Sequence, residues 1–150
     1  NLADEPIAMG DVSVRAQLLD LMVQLKNELK LTYLFITHDL ATAKYICDRI
    51  GVLYLGKIVE ISDLREVYSH PLHPYTIALL AAVPVPDPHK RRKEVMPKGE
   101  FPNPIHPPSG CRFHPRCPYA QEICSLEEPI LRELRPEHQV ACHFAEQFMK

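Results

Sequence analysis

Two short apolar runs, each ending in acidic and polar residues, constrain the fold of this chain most strongly. Residues 2–6 read Leu-Ala-Asp-Glu-Pro, and the apolar run 31–36 leads directly into Thr-His-Asp at 37–39. Between them, residues 12–30 carry apolar side chains every three to four positions, as an amphipathic helix does. A strand, a helix and a second apolar strand predict parallel strands, buried on both faces of the sheet, and therefore an α/β fold.

The remaining sequence predicts the end of this α/β domain, followed by two regions of different character. Helical spacing returns at 39–48, and strand-like runs flank Gly56, which predicts a β-hairpin. We expect the α/β domain to end near Ile61. Short helices and a proline-rich, extended linker are predicted next, followed by a small module that contains four cysteines. The predicted domains are accordingly 1–61, 62–110 and 111–150.

The composition excludes several classes of function. With a net charge of −2, the chain has no basic excess that would favour nucleic acid as a partner. It has no run of about 18 apolar residues that would span a membrane, and its N-terminus lacks the pattern of a secretion signal. We therefore expect a cytosolic protein, in which disulfides are rare and clustered cysteines more often bind metal.

Asp4 and Glu5 are adjacent acids at the end of the first predicted strand. Successive side chains of a strand point in opposite directions, so one carboxylate can orient water around Mg²⁺ while the other polarises an attacking water. His38, at the end of the second strand, can donate a hydrogen bond to a terminal phosphate. The alternatives are that the acids cap the helix beginning near Val12, and that His38 is a surface residue beside a capping Asp39.

In combination, these segments resemble the ATP-binding subunits of ABC transporters over about residues 1–61. The matching motifs are Ala3-Asp4-Glu5-Pro6, Gly10-Asp11-Val12-Ser13-Val14, Ile36-Thr37-His38-Asp39-Leu40 and the hairpin at 52–60. The resemblance implies the C-terminal half of a P-loop, RecA-like ATPase core. It implies that Asp4 ends the Walker B strand and acts on Mg²⁺ through water, that Glu5 is the catalytic base, and that His38 is the switch histidine.

The same resemblance assigns Asp11 to the D-loop, which crosses the interface between two ATP-binding subunits. The chain departs from the family here, because residues 8–11 read Ala-Met-Gly-Asp where the family usually has Ser-Ala-Leu-Asp. The sequence also contains no Gly-x-x-x-x-Gly-Lys-Ser/Thr phosphate loop. We therefore expect the 150 residues to be part of a larger protein, and to be inactive as an ATPase by themselves.

Two further segments resemble the C-terminal extension of oligopeptide and dipeptide transporter ATPases. They are 69–84, which contains His70-Pro71-Leu72-His73-Pro74-Tyr75, and 110–118, which begins Gly110-Cys111-Arg112-Phe113-His114. The resemblance implies an ATPase subunit that powers the uptake of short peptides, with ATP and Mg²⁺ bound. It also implies a second ATP-binding subunit and transmembrane permease subunits, which hold the protein at the cytoplasmic face of the membrane. Some proteins with this extension transport nickel or other small solutes instead.

Four cysteines within a stretch of 32 residues form a candidate metal site: Cys111, Cys117, Cys124 and Cys142. Zinc usually takes ligand pairs about two to four residues apart, which these cysteines do not provide, whereas iron–sulfur ligands are spaced more loosely. The resemblance implies a [4Fe–4S] cluster, which some ATPases of this subfamily carry in the extension. Zinc, with His114 or His143 as a further ligand, is the fallback. We expect the metal to hold together a module with little apolar content of its own.

The other histidines and the fifth cysteine have simpler interpretations. His70 and His73 are flanked by prolines, and we interpret them as parts of a rigid turn that packs against the nucleotide domain. Cys47 lies on the apolar stripe of the helix after His38, where we interpret it as a small buried apolar residue.

Two functions from other classes remain open at this point. One is a truncated, non-catalytic metal-binding module, in which residues 1–61 are a relic and the cysteine-bearing part docks on a partner. The other is a soluble ABC ATPase of repair or translation, which the transporter-like extension and the acidic net charge disfavour.

Overall fold

A computed structural model describes residues 1–6, 11–83, 97, 99–100 and 102–149. Contacts between residues divide the chain into two compact units, Asn1–Asp48 and Arg49–Lys150. This division comes earlier than the domain end expected near Ile61. It does so because the predicted hairpin forms a sheet with strands from the C-terminal part of the chain.

The first unit has the expected order of strand, helix, strand and helix. Its elements are β1 (Leu2–Asp4), α1 (Val12–Glu28), β2 (Leu34–Ile36) and α2 (Leu40–Ile46). The two strands are parallel, with Leu2 opposite Leu34 and Asp4 opposite Ile36. The parallel pair and both helices are confirmed, although the second strand covers only the last three residues of the apolar run 31–36.

Apolar side chains are buried on only part of this first unit. Leu19 and Ile46 form a small core, and Cys47 packs against it as expected, with burial raising the pKa of its thiol. In contrast, Leu2 and Leu34 are 67% and 65% exposed. The expectation that these strands are buried on both faces is therefore wrong for this chain by itself.

The second unit is built around an antiparallel sheet of four strands in the order β3-β4-β6-β5. The strands are β3 (Arg49–Tyr54), β4 (Lys57–Asp63), β5 (Arg132–Arg135) and β6 (His138–Val140). The helices are α3 (Leu64–Ser69), α4 (Pro74–Ala81) and α5 (Glu122–Leu126), with short 3-10 helices at His114–Arg116 and Ala145–Phe148.

The predicted hairpin around Gly56 is confirmed. Tyr54 lies opposite Lys57, so the loop between β3 and β4 contains two residues, Leu55 and Gly56. Both have a positive φ, +46° and +77°. A two-residue turn with positive φ at both positions matches the right-handed twist of the flanking strands, and glycine adopts this conformation without a steric penalty.

The C-terminal strands join the hairpin through β4 and β6. Glu60 lies opposite Val140, and the backbone N–H of Ala141 donates to the carbonyl of Val59 over 2.8 Å. The cysteine-bearing module therefore extends the sheet begun by the hairpin. Its backbone is stabilised by this pairing as well as by any bound group.

Phe113 shows how a module with little apolar content of its own packs against the rest of the second unit. Its side chain is 1% exposed and belongs to a core with Val52, Tyr54, Val59 and Val67. The rings of Phe113 and Tyr54 meet edge to face, with centroids 5.1 Å apart. The module lacks a core in its own sequence, but it supplies a large side chain to the core of the hairpin.

Within the described ranges, no helix combines the length and apolar character needed to cross a membrane.

Replacement of Phe113 by alanine tests whether the module and the hairpin share one core. We expect Phe113→Ala to lower the free energy of unfolding by about 3–5 kcal/mol, because it leaves a cavity among buried side chains. Ile105→Ala is the control, since Ile105 is 79% exposed and its loss should change stability by less than about 0.5 kcal/mol. Urea unfolding followed by circular dichroism measures both. Equal, small losses would contradict a shared core.

Candidate functional site

Glu5 and His38 meet at the carboxyl end of the parallel strands. The register of β1 and β2 brings the two strand ends together, and the N–H of Glu5 continues the ladder by donating to the carbonyl of Ile36 over 3.0 Å. Nδ1 of His38 lies 2.9 Å from Oε1 of Glu5, so the imidazole N–H donates to the carboxylate. The two residues are 33 positions apart in sequence. The structure therefore joins two of the residues that the sequence assigned to catalysis.

The backbone of Glu5 adopts an uncommon conformation. Its φ of +40° lies in the left-handed region, which costs a residue other than glycine about 1–3 kcal/mol. The side chains of Glu5 and His38 remain 47% and 79% exposed. An accessible carboxylate can accept a proton from water, and the imidazole in contact with it can exchange one hydrogen-bond partner for another.

The other acids of the predicted site are Asp4 and Asp11. Asp4 ends β1 and is exposed, one residue before Glu5. Asp11 stands at the N-cap position of α1 without a side-chain capping bond, so the helix start belongs to Asp11 rather than to the Asp4-Glu5 turn. The rest of the D-loop motif, residues 8–10, lies outside the described residues.

Asp39 caps the helix that follows His38, as the sequence predicts. Its carboxylate accepts hydrogen bonds from the N–H of Ala41 over 2.9 Å and from the hydroxyl of Thr42 over 2.7 Å. The Thr42 hydrogen bond is the largest cause that lowers the pKa of Asp39. This cap fixes the start of α2 directly after the candidate switch histidine.

The four clustered cysteines line one cavity of the second unit. Cys111 and Cys117 flank the 3-10 helix His114–Arg116, Cys124 lies on α5 and Cys142 follows β6. The N–H of Cys111 donates to the carbonyl of Cys124 over 2.8 Å, which ties two of these segments together. All four side chains are thiols rather than disulfides. We call this space, with its four thiols, the cysteine cavity.

A glycine is required where two of these segments cross. Gly110 has a φ of +63°, and a Cβ atom at this position would lie 2.5 Å from the carbonyl oxygen of Cys124. Such a distance is far inside van der Waals contact, so a larger residue would push α5 away from Cys111.

Burial disfavours the thiolate form of two thiols in the cysteine cavity, Cys111 and Cys142. Burial raises the pKa of Cys111, and it raises the pKa of Cys142 to about 12, with repulsion from Cys111, Cys117 and Cys124 adding to the effect. A thiolate at Cys142 would need a positive partner, because the neighbouring cysteines disfavour its charge. In this arrangement, no group of three or more His, Cys, Asp or Glu side chains among the described residues is placed to hold a metal ion.

Three histidines among the described residues also line the cysteine cavity. His73 is 1% exposed, and its Nδ1 accepts a hydrogen bond from the N–H of Tyr75 over 3.0 Å, which caps α4. Burial lowers the pKa of His73 to about 4. His114 Nδ1 and His143 Nε2 instead donate to the carbonyls of Cys111 and Glu127, over 2.9 and 3.0 Å. The prediction that His73 belongs to a turn is therefore confirmed, but its place beside the cysteines was not foreseen.

Glu60 is a buried acid that the sequence analysis missed. Its side chain is fully buried on β4 and accepts three hydrogen bonds. The N–H groups of Leu72 and His73 donate over 2.8 and 3.0 Å, and His138 Nε2 donates over 2.7 Å. The one available signal was a lone acid inside the apolar run 57–61. Glu60 thereby joins β4, β6 and the turn before α4.

These observations describe an α/β protein with a glutamate–histidine pair at the end of parallel strands and a cavity of thiols in its other unit. Residues 59–124 match the family model described as "Oligopeptide/dipeptide transporter, C-terminal region". The matched residues include Glu60, His73 and three of the four cysteines.

Individual proteins resemble the chain over almost its whole length. The oligopeptide transport ATP-binding protein AppF of Bacillus subtilis is 51% identical over 146 residues, which cover 95% of this chain and 44% of AppF. The putative oligopeptide transport ATP-binding protein YkfD of the same organism is 51% identical over 144 residues, 95% of this chain and 44% of YkfD. The di/tripeptide transport ATP-binding protein DppF of Pseudomonas aeruginosa is 47% identical over 148 residues, 99% of this chain and 46% of DppF.

The chain spans less than half the length of these curated relatives. Over that span the chain is similar to ATP-binding proteins of oligopeptide and dipeptide transport, and residues 59–124 match the C-terminal region of the transporter family.

Removal of the Glu60 carboxylate should destabilise the second unit strongly. Glu60→Ala leaves two buried N–H groups and His138 without their acceptor, and we expect it to cost about 3–5 kcal/mol of unfolding free energy. Glu60→Gln keeps one oxygen acceptor and should lose less. Glu122→Ala is the control, because Glu122 is exposed on α5. Urea unfolding of the three variants measures the order, and a Glu60→Ala protein as stable as the control would contradict the role of this carboxylate.

Proposed function

We propose that the chain supplies the catalytic glutamate and the switch histidine of an ABC-type ATPase that powers the uptake of short peptides. The observation that carries the proposal is the hydrogen bond between Glu5 and His38 at the exposed end of two parallel strands. The relatives are named as peptide transport ATP-binding proteins, which favours a transport ATPase over a non-catalytic metal-binding module. ATP is the proposed substrate of the longer protein.

The geometry suggests how the pair would act. A neutral imidazole has a single N–H, and in this structure that N–H is directed to Glu5. When ATP binds, His38 would donate to the γ-phosphate instead, which frees the Glu5 carboxylate to accept a proton from water as the water oxygen attacks phosphorus. The bond from phosphorus to the ADP oxygen then breaks. Asp4 would hold water around Mg²⁺, which supplies positive charge to the phosphates when bound.

The exposed apolar strands of the first unit suggest the partners. Leu2 and Leu34 are strongly exposed, whereas parallel strands in α/β domains are normally covered on both faces. We infer that further residues of the longer protein cover them. A second ATP-binding subunit would contact this one near Asp11. Permease subunits would hold the two ATP-binding subunits on the cytoplasmic face of the membrane. The division of the chain into 1–61, 62–110 and 111–150 is part of the same proposal.

We also propose that the four cysteines hold a [4Fe–4S] group. Four thiols from separate segments line one cavity, and the other three raise the pKa of Cys142, so a cationic group would relieve this repulsion. Iron–sulfur clusters are held by four cysteine thiolates, each on its own iron, and the ligands therefore surround a volume rather than a single point. Bound there, the group would supply four covalent links between Cys111, Cys117, Cys124 and Cys142, a structural rather than catalytic contribution. Zinc is the competing occupant.

Glu5→Gln, made in a longer protein that carries this sequence, tests the catalytic assignment. We expect ATP turnover to fall by at least about 10³-fold while ATP binding is retained, because glutamine cannot accept the proton of water. Glu28→Gln is the matched control, since Glu28 is an exposed acid at the end of α1. Phosphate release and equilibrium nucleotide binding are measured side by side. Turnover at the control level would remove Glu5 from its role.

Metal content after anaerobic purification tests the cluster. We expect about four irons and four sulfides per chain, with a brown colour. Cys117→Ser should lose the iron and make the tail more sensitive to protease, whereas Cys47→Ser should retain both, because Cys47 lies outside the cysteine cavity. Zinc in a colourless protein would replace the iron–sulfur assignment, and an ordered tail without any metal would refute both.

A further inference from the structure

A second cavity of the second unit lies beside the start of β4. Its volume is about 330 Å³, at the lower end of the range for small-molecule sites. β4 begins at Lys57, but its pairing with β6 begins only at Glu60, and the residues of β4 before that pairing line the cavity. The remaining lining comes from residues 111–113 and 128–131 and from Ala141. We call this space the β4 cavity.

Most of the residues that line the β4 cavity are apolar, and they extend from the core to the surface. Val59 and Phe113 belong to the core of the hairpin and are buried. In contrast, Ile58, Ile130 and Leu131 are 42%, 76% and 39% exposed. An occupant with an apolar body would remove this apolar surface from water, which is favourable.

Three charged side chains line the same cavity: Lys57, Arg112 and Glu128. Nζ of Lys57 lies 2.8 Å from Oε1 of Glu128. The hydrogen bond from Lys57 is the largest cause that lowers the pKa of Glu128, and the positive charge of Arg112 also lowers it. Glu128 is therefore ionised at neutral pH. Two positive charges and one negative charge leave the lining with a net charge of +1, which favours an occupant with one negative charge.

Arg112 is held in position by a contact that is distant in sequence. Its Nη1 donates to the carbonyl of Leu55 in the hairpin turn, 57 positions away. A guanidinium has five N–H groups in a planar fork, so it can keep this bond and also bind a carboxylate. The next residue, Phe113, is fixed in the core. A cation that is positioned in this way loses little further entropy on binding.

We propose that the β4 cavity binds a small monocarboxylate with an apolar body. The carboxylate pairs with Arg112, and the apolar body covers Ile58, Ile130 and Leu131. A fatty carboxylate and the C-terminus of a short apolar peptide share this chemistry. Binding here requires neither ATP hydrolysis nor a group in the cysteine cavity.

Sodium octanoate, titrated into the 150-residue chain and followed by amide NMR shifts, tests the site. We expect saturable shifts at residues 57–59, 111–113 and 128–131. Affinity should rise about fourfold for each CH₂ added from butanoate to octanoate, because each buried methylene adds hydrophobic free energy. Octylammonium has the same chain with a positive charge and should bind at least about tenfold more weakly. N-acetylleucine represents a peptide C-terminus, and the tighter of it and octanoate identifies the source of the carboxylate.

Substitutions test the apolar and the charged lining separately. Ile130→Asp places a negative charge on the apolar lining, and we expect it to weaken octanoate binding at least about tenfold. Ile105→Asp is the matched control, because Ile105 is similarly exposed, at 79%, and does not line the β4 cavity. Arg112→Gln should also weaken binding at least about tenfold, and Arg112→Lys should restore part of the loss. Glu128→Gln should tighten binding, because it removes a negative charge that repels the carboxylate.

Several outcomes would overturn the site. They are an absence of saturable octanoate binding, equal affinity for octanoate and octylammonium, and equal losses in Ile130→Asp and Ile105→Asp. Binding by the 150-residue chain but not by a longer protein that carries this sequence would mean that other residues cover the cavity, which overturns the site as well. If Arg112→Gln fails to fold, unchanged or weaker binding in folded Glu128→Gln overturns the assigned charge.

Discussion

The second unit depends on one buried carboxylate. Glu60 has no contact with solvent, and a buried charge is tolerated only when hydrogen bonds replace the water it has lost. Those bonds come from the turn before α4 and from His138 on β6, so a single side chain connects three segments. His138 faces Glu66 on its other side, at 3.9 Å, and Glu66 pairs with Arg135. The position of His73, and with it one wall of the cysteine cavity, follows from this arrangement.

The two candidate sites place polar groups in opposite environments. Glu5 and His38 are exposed at strand ends, where a diffusing nucleotide and water have access. The cysteine cavity is less accessible: Cys124 is buried and the other three cysteines are half-buried, and burial raises the pKa of Cys142. This contrast is consistent with the two proposals made above, a catalytic role for the first unit and a structural role for the cysteines of the second.

Local patterns explain the features that sequence analysis predicted well. The apolar runs and helical spacing predicted the parallel pair, Gly56 predicted the hairpin, and Asp39 predicted its cap, because each depends on residues near one another in the chain. The burial of the first two strands was predicted wrongly, and the packing of Phe113 into the hairpin core was not foreseen, for the opposite reason. Exposure of Leu2 depends on residues beyond the strand, and burial of Phe113 depends on the distant hairpin.

The sequence by itself therefore determined the order of elements, the strand-end acids with their histidine, and the clustering of four cysteines within 32 residues. Only the tertiary structure decided that Glu5 bonds to His38, that Glu60 bonds to His138 from 78 positions away, and that His73 borders the cysteine cavity. The physical reason is that periodicity and turn chemistry act over a few residues, whereas burial and hydrogen-bond partners are set by segments that meet only when the sheet is complete.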